Sequence, residues 1–516
     1  MPIRPRSIWT ALGLWAFFLH SASAQAPLSA IDWLSQSLAV PSGTNISGEP
    51  AISQDGALPE NVSVSVLGKT SADSVGLLAP DVTGFPRSLW GLGQTSEIAS
   101  AVAASRLDGL PALQGLLLTL LLAEADAPSD SAGGSTLLIA RVDKLLEIGA
   151  LEQARALLQA SGAVVSADLF RRKFDVALLT GDETQACAEL QAAPGMAPTL
   201  TARVFCLARS GDWNAAALTL RTSQVLGHIT PEEDALLSRF LDPDLFEGDT
   251  MPPPPKPVTP LILRIYEAIG EPLPTSTLPL AFAYADLDDR SGWKAQIEAA
   301  ERLTRAGAIS SNVLLGLYTQ RAPAASGGVW DRADAFQRFD AAIAKGDVET
   351  VGLRLPQAYD QMRAMELEVP FASLFAEPLG KLALSGNVAE TAFEIGLLSS
   401  GYERFAATLP SDLANQRTAF LSGLARGSLS GLTPPDSMAR AIAPAFDAPA
   451  ISDEFQILLD QRRLGEAILL AMIRINGGLQ GDLKEVTDGL ALLRSVGLED
   501  VARRTALQLM LLERRG

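Results

Sequence analysis

Side chains that could do chemistry are scarce in this chain of 516 residues, and their scarcity narrows what it can be. Two histidines occur, His20 and His228. His20 stands in an N-terminal stretch that reads as a cleavable leader, which leaves His228 as the sole imidazole of the mature protein. A Ser-His-Asp triad, a Cys-His pair or a multi-histidine zinc site would all have to use that single ring. Its setting, Val225-Leu226-Gly227-His228-Ile229 just after a helix, suits a surface or capping imidazole. No P-loop, Gly-rich dinucleotide fingerprint or paired CxxC is present, and the acidic run Asp286 to Asp289 lacks EF-hand spacing. The expectation is no catalytic, cofactor-binding or metal-binding residue. Carboxylate-only chemistry such as glycoside cleavage is what survives this filter.

Cys187 and Cys206 are the two cysteines of the chain. They fall on the second helix of one predicted hairpin and the first helix of the next, with Pro194, Gly195 and Pro198 in the turn between. Antiparallel packing sets them opposite each other. In an oxidising compartment this predicts a disulfide; two separately buried thiols are the alternative.

The elements that would carry these residues are marked by five glycines with the same surroundings: Gly149, Gly181, Gly211, Gly346 and Gly386. Two apolar residues precede each by four and three positions: Leu145 and Leu146, Ala177 and Leu178, Leu207 and Ala208, Ala342 and Ile343, Leu382 and Ala383. These are adjacent on one helical face. Five residues after each glycine comes a small or β-branched residue (Ala154, Ala186, Ala216, Val351, Thr391), and nine after comes Leu158, Leu190, Leu220, Leu355 or Ile395. In four cases the next residue, Asp182, Asp212, Asp347 or Asn387, is a good N-cap. Each unit thus reads as helix, glycine turn, helix, the glycine supplying the left-handed residue on which a helix ends cheaply. One such hairpin cannot bury both apolar faces, so repetition predicts an all-α solenoid of antiparallel hairpins.

The segments Gly211-Asp212-Trp213 with Ala216 and Leu220, and Gly346-Asp347-Val348 with Val351 and Leu355, resemble the middle of a tetratricopeptide repeat. The likeness covers about half of each unit. The glycine usual in the first helix of that family is replaced by Val142, Phe174, Val204, Phe339 and Leu379, so helix packing should differ from the regular repeat. The resemblance implies protein or peptide binding on a concave surface. Soluble lytic transglycosylases of the periplasm are also long α-superhelices, but their Glu-Ser and Gly-Leu-Met-Gln type signature is missing; a cell-wall glycan enzyme is the second reading. Capture of a small molecule between two arms is the third.

The leader itself comprises Arg4 and Arg6, an apolar run from Ile8 to Leu19, and the small-residue pattern Ala22-Ser23-Ala24. The run is too short to span a bilayer, which needs about 20 residues. It predicts export to the periplasm of a Gram-negative bacterium, with no membrane span after cleavage at Gln25. The mature chain then carries 39 Lys and Arg against 59 Asp and Glu, a net charge of −20 compared with −18 for the whole. That balance disfavours nucleic acid and anionic lipid surfaces as partners, since both need basic footprints, and no nucleic acid is expected.

Along the chain the sequence divides as follows. Residues 1–24 form the signal. Residues 25–95 form a linker and N-terminal cap, in which the alternation from Asn61 to Leu67 predicts a strand, pairing in cis or in trans. A first helical arm runs over 96–250, Met251-Pro252-Pro253-Pro254-Pro255-Lys256-Pro257 begins an extended polyproline loop over 251–260, and a second arm covers 261–426. A loop over 427–449 precedes a C-terminal cap at 450–516, starting with a long helix from Glu454 to Ile475 and ending in a hairpin at Gly497. The function expected is a non-catalytic periplasmic scaffold or adaptor that binds another envelope protein or peptide.

Overall fold

The computed structural model describes residues 71–106, 109–162, 166–251 and 253–512. The predicted signal and the predicted strand at 61–67 lie outside the described residues. Within them every regular element is helical, apart from one isolated parallel bridge between Leu78 and Ala123. No described helix is long and apolar enough to cross a membrane.

After a single turn at Pro80–Thr83 come α1 (Thr95–Ala104), α2 (Pro111–Leu122), α3 (Thr136–Glu147) and α4 (Leu151–Ala160). The next group is α5 (Ala167–Thr180), α6 (Glu183–Ala192), α7 (Leu200–Arg209), α8 (Trp213–Val225), α9 (Pro231–Leu241) and α10 (Pro260–Ala268). A 3-10 segment, Leu280–Leu287, leads into α11 (Trp293–Arg305), α12 (Ser311–Thr319), α13 (Val329–Lys345), α14 (Val348–Ala364), α15 (Glu368–Leu379) and α16 (Gly386–Leu398). The last group is α17 (Tyr402–Ala407), α18 (Gln416–Arg426), α19 (Ser437–Asp447), α20 (Asp453–Asp460), α21 (Leu464–Gly478), α22 (Leu483–Ser495) and α23 (Glu499–Leu511).

Ten of these 23 helices start on a residue whose side chain accepts a first-turn amide. Thr230 and Glu233 form a capping box at the head of α9, and Asp212, Asp347 and Asp436 each accept a first-turn amide of α8, α14 and α19. The apolar residues then segregate into three cores. One lies among α5 to α10, around Phe174, Phe205, Leu237 and Ile265. A second lies among α11 to α16, where Phe336, Phe339, Phe371 and Phe375 stack edge-on or tilted at 4.8–6.4 Å. The third is central and draws on both ends of the chain, from Leu89 and Leu113 to Leu490 and Leu507.

The central core changes the expected plan. The last hairpin, predicted to cap a free end, instead sends α23 inward to pack against α2, α16, α18, α19 and α22. Its Ala502, Ala506, Leu507 and Met510 are all buried, too apolar on too many sides for a terminal helix. Gln508 of α23 accepts the Ala112 amide at 2.9 Å, so α2 is capped from a residue 396 positions away. The predicted N-terminal cap joins the same seam. The Gly465 amide donates to Leu89 O at 2.8 Å, and a Cβ at Gly465 would fall 2.5 Å from the Trp90 ring.

Three other boundaries are corrected. The polyproline stretch is a non-helical connection, but it does not divide one arm from the next: α10 folds back onto α5 and α9. Arg264 of α10 donates to Leu178 O at 2.5 Å and pairs with Glu183 at 3.2 Å, tying it to the first arm. The predicted loop over 427–449 contains α19, with Pro444 in its interior. The expected long helix from Glu454 breaks into α20 and α21 at Arg462, whose φ is +57° and whose carbonyl lies against Gly91.

Candidate functional site

Four of the five glycine units stand where their spacing puts them. Gly149, Gly181, Gly211 and Gly346 have φ of +76°, +84°, +87° and +64° and lie in the reversals α3/α4, α5/α6, α7/α8 and α13/α14. Their partner positions Leu145, Leu178, Ala208 and Ala342, and Ala154, Ala186, Ala216 and Val351 five residues on, are buried. Gly149 has a second constraint: a Cβ there would meet Leu303 at 2.6 Å and Leu280 at 3.1 Å, where α11 and the 3-10 segment cross the turn.

Gly386 departs from the pattern. It is the first residue of α16 rather than the end of α15, and Leu382 and Ala383 lie in the connection instead of on a helix. Helix α15 stops at Leu379, with Pro378 in its last turn, and Gly380 follows. Phe405 fills the space that a side chain at Gly380 or Gly396 would need, so glycine is used there for close approach.

The repeat at Gly181 also builds a groove. Leu158 of α4, Phe170 and Phe174 of α5, and Ala186 of α6, all buried, line the floor of a narrow crevice of about 40 Å³. Phe170 and Phe174 are one turn apart and stack at 6.3 Å. The groove is edged by ion pairs. Arg155 donates to Asp182 at 2.8 Å and also pairs with Glu152, which in turn accepts the Tyr284 hydroxyl at 2.6 Å. Lys173 sits 2.7 Å from Glu189 across the gap between α5 and α6. Asp182, expected as the N-cap of α6, makes no cap bond because its carboxylate is turned to Arg155.

Behind the groove, Cys187 and Cys206 form a disulfide between α6 and α7, which holds the groove's outer wall to the next hairpin. Both cysteines are buried in the first-arm core. On the opposite side of α5, Arg172 grips both oxygens of Asp143 at 2.6 and 2.7 Å. Beside it, burial pushes the Asp175 carboxyl up to about 7, opposed by Arg171 and Arg172. Arg141 of α3 lies deeper still and donates to Leu121 O, Val75 O and Ala123 O at 2.6, 2.6 and 3.0 Å. Desolvation pulls its guanidinium down to about 10, with Asp73 opposing. Arg141 clamps the end of α2, the Arg172–Asp143 pair ties α5 to α3, and neither these residues nor Asp175 line the groove.

His228 lies exposed in the turn after α8. A wider polar cleft of about 400 Å³ opens beside Ser373 and Ser399, but their hydroxyls are engaged with Ser311 and Pro370 O, and with Gly396 O. Among the described residues no group of three or more His, Cys, Asp or Glu could hold a metal ion. From the sequence, Phe174 stands out only for the glycine it replaces, and Arg155 and Phe170 do not stand out. Phe170 and Phe174 at i and i+4 with Lys173 between are a legible stripe, but the opposite wall depends on how α4 and α6 stack. Compared with family models, curated proteins and solved structures, the chain matches none.

Proposed function

We propose that this chain is an exported, non-catalytic helical-repeat scaffold that holds a peptide or protein partner in the groove between α4, α5 and α6. The observation that carries this reading is an apolar floor of Leu158, Phe174 and Ala186 bordered by ion pairs drawn from two consecutive hairpins. Such pairs can exchange partners: Arg155 and Lys173 reach a ligand's carboxylates or carbonyls, while Asp182 and Glu189 reach its amines. The tetratricopeptide resemblance supports the same use of stacked hairpins, and the leader supports a periplasmic setting.

The test is site-specific photocrosslinking in intact cells that export the full chain. A photoreactive residue replacing Gln185, which borders the groove, should trap a discrete adduct in the periplasmic fraction. The same residue replacing Leu353 should not. Equal recovery of abundant bystanders at both positions, or retention of the chain in the cytoplasm, overturns the proposal.

A further inference from the structure

A second surface, separate from the groove and independent of it, lies on the outer side of α8. Leu218 and Val225 are 68% and 87% exposed and stand two turns apart on one face, about 10 Å along the axis. Leu226, 60% exposed, extends it past the helix end. Exposure of a single leucine means little, but three large aliphatics on one short face form a patch.

Carboxylates lie at both ends of α9, the helix that packs beside α8. Gln224 bonds to Asp234, which brings the acidic first turn of α9 (Glu232, Glu233, Asp234) to the C-terminal end of α8. At the other end the Trp213 ring lies 6.3 Å from Phe240, just before the exposed run Asp242, Asp244, Glu247 and Asp249. Arg239 is held over the Phe246 ring at 4.6 Å, so it is drawn toward that turn. Arg221 is exposed on the face between Leu218 and Val225 and is its cation.

We infer that this face docks a basic amphipathic helix, its apolar stripe seated on Leu218, Val225 and Leu226 and its Lys or Arg residues reaching the flanking carboxylates. Charge decides the occupant. A second copy would bring acidic brackets against each other in a chain of net charge −18. The chain's own residues 25–70 carry Asp32, Glu49, Asp55 and Glu60 against Lys69 alone, and are repelled in the same way. A helix with an apolar stripe flanked by cations satisfies both elements of the surface.

The test uses the full-length mature protein and a fluorescein-labelled synthetic helix with Leu at i, i+4 and i+7 and Lys at the flanking positions, read by anisotropy. Saturable binding is expected, weakening as salt is raised. The double variant Leu218→Ser/Val225→Ser, and separately Asp242→Asn/Asp244→Asn/Glu247→Gln/Asp249→Asn, should each weaken it about tenfold. All six positions are exposed, so circular dichroism should be unchanged. Leu353→Ser is the control, because Leu353 holds the same place after Gly346 on α14 that Leu218 holds after Gly211 and is 71% exposed. No saturable binding, affinity in either variant equal to that of the unsubstituted protein, or equal affinity for the counterpart peptide with Glu for Lys overturns the inference. So does a photocrosslink from position 218 to a second copy or to residues 25–70 of the same chain.

Discussion

The first arm and the central core are built from the same kind of helix but are held together over different distances. In the arm, α5 to α10 pack mainly on sequence neighbours, and the disulfide there joins residues 19 positions apart. In the centre, α1 and α2 meet α21 and α23, so contacts span most of the chain. Arg463 illustrates the seam: it pairs with Glu466 on its own helix and with Glu97 on α1, 366 residues away. Local pairs form with little loss of loop entropy, whereas the central seam closes only when the C-terminal helices are available. A repeat pattern therefore foretells neighbours and is silent about closure.

This contrast can be broken most directly at Arg141. Its three carbonyl acceptors come from residues 75, 121 and 123, so Arg141→Ala strips their donors and leaves a cavity in the central core. We expect a loss of about 3–5 kcal/mol, by analogy with buried charged groups that lose a partner. Urea unfolding followed by hydrogen exchange should show that amides of α1 to α3 and of α21 to α23 lose protection together. Protection lost in α1 to α3 alone would mean the ends are not one unit.

The disulfide probes the other side. Cys187→Ser/Cys206→Ser should cost about 3 kcal/mol in the chain-entropy picture, for a loop of this size. The loss should be confined to α5 to α10 in the same exchange experiment. Equal loss in the central helices would show that arm and centre unfold as one. Thiol titration of the exported protein with and without reductant should find two thiols only after reduction.

A smaller effect is expected from Asp175. Burial raises its carboxyl to about 7, above the ordinary 3.8, so the native state keeps the proton over a range in which the unfolded chain has lost it. The contribution of Asp175 to stability should be greatest below about pH 4, fall as pH rises toward 7, and level off above that. In Asp175→Asn the fall between pH 4 and 7 should flatten, as measured by thermal unfolding in that window. An identical slope in both proteins would show that Asp175 does not titrate there.

How far these features were legible follows from their range. Leu145, Ala154 and Leu158 announce the α3/α4 hairpin because a helical face and a left-handed turn are local needs. Gly386 shares that spacing yet starts a helix, because Pro378, Gly380 and the packing of Phe405 move the reversal upstream. The stretches over 427–449 and 251–260 both read as interruptions. The first holds α19, with Pro444 in its interior, and the second leads into α10, which returns to the arm through Arg264. In the groove, Phe170 and Phe174 were readable as a stripe, but Arg155 and Glu189 join them only through stacking of three helices.

Sequence alone determined the helical class of the described residues, four of the reversals and the scarcity of histidine and cysteine, since the first two rest on residues within a turn or two of one another and the last on composition. Tertiary structure decided the return of α23 to α2, the buried clamp at Arg141, the groove with its exchangeable ion pairs and the bare face of α8. Those depend on which surfaces meet after the helices have formed, and burial of apolar area is indifferent to sequence order.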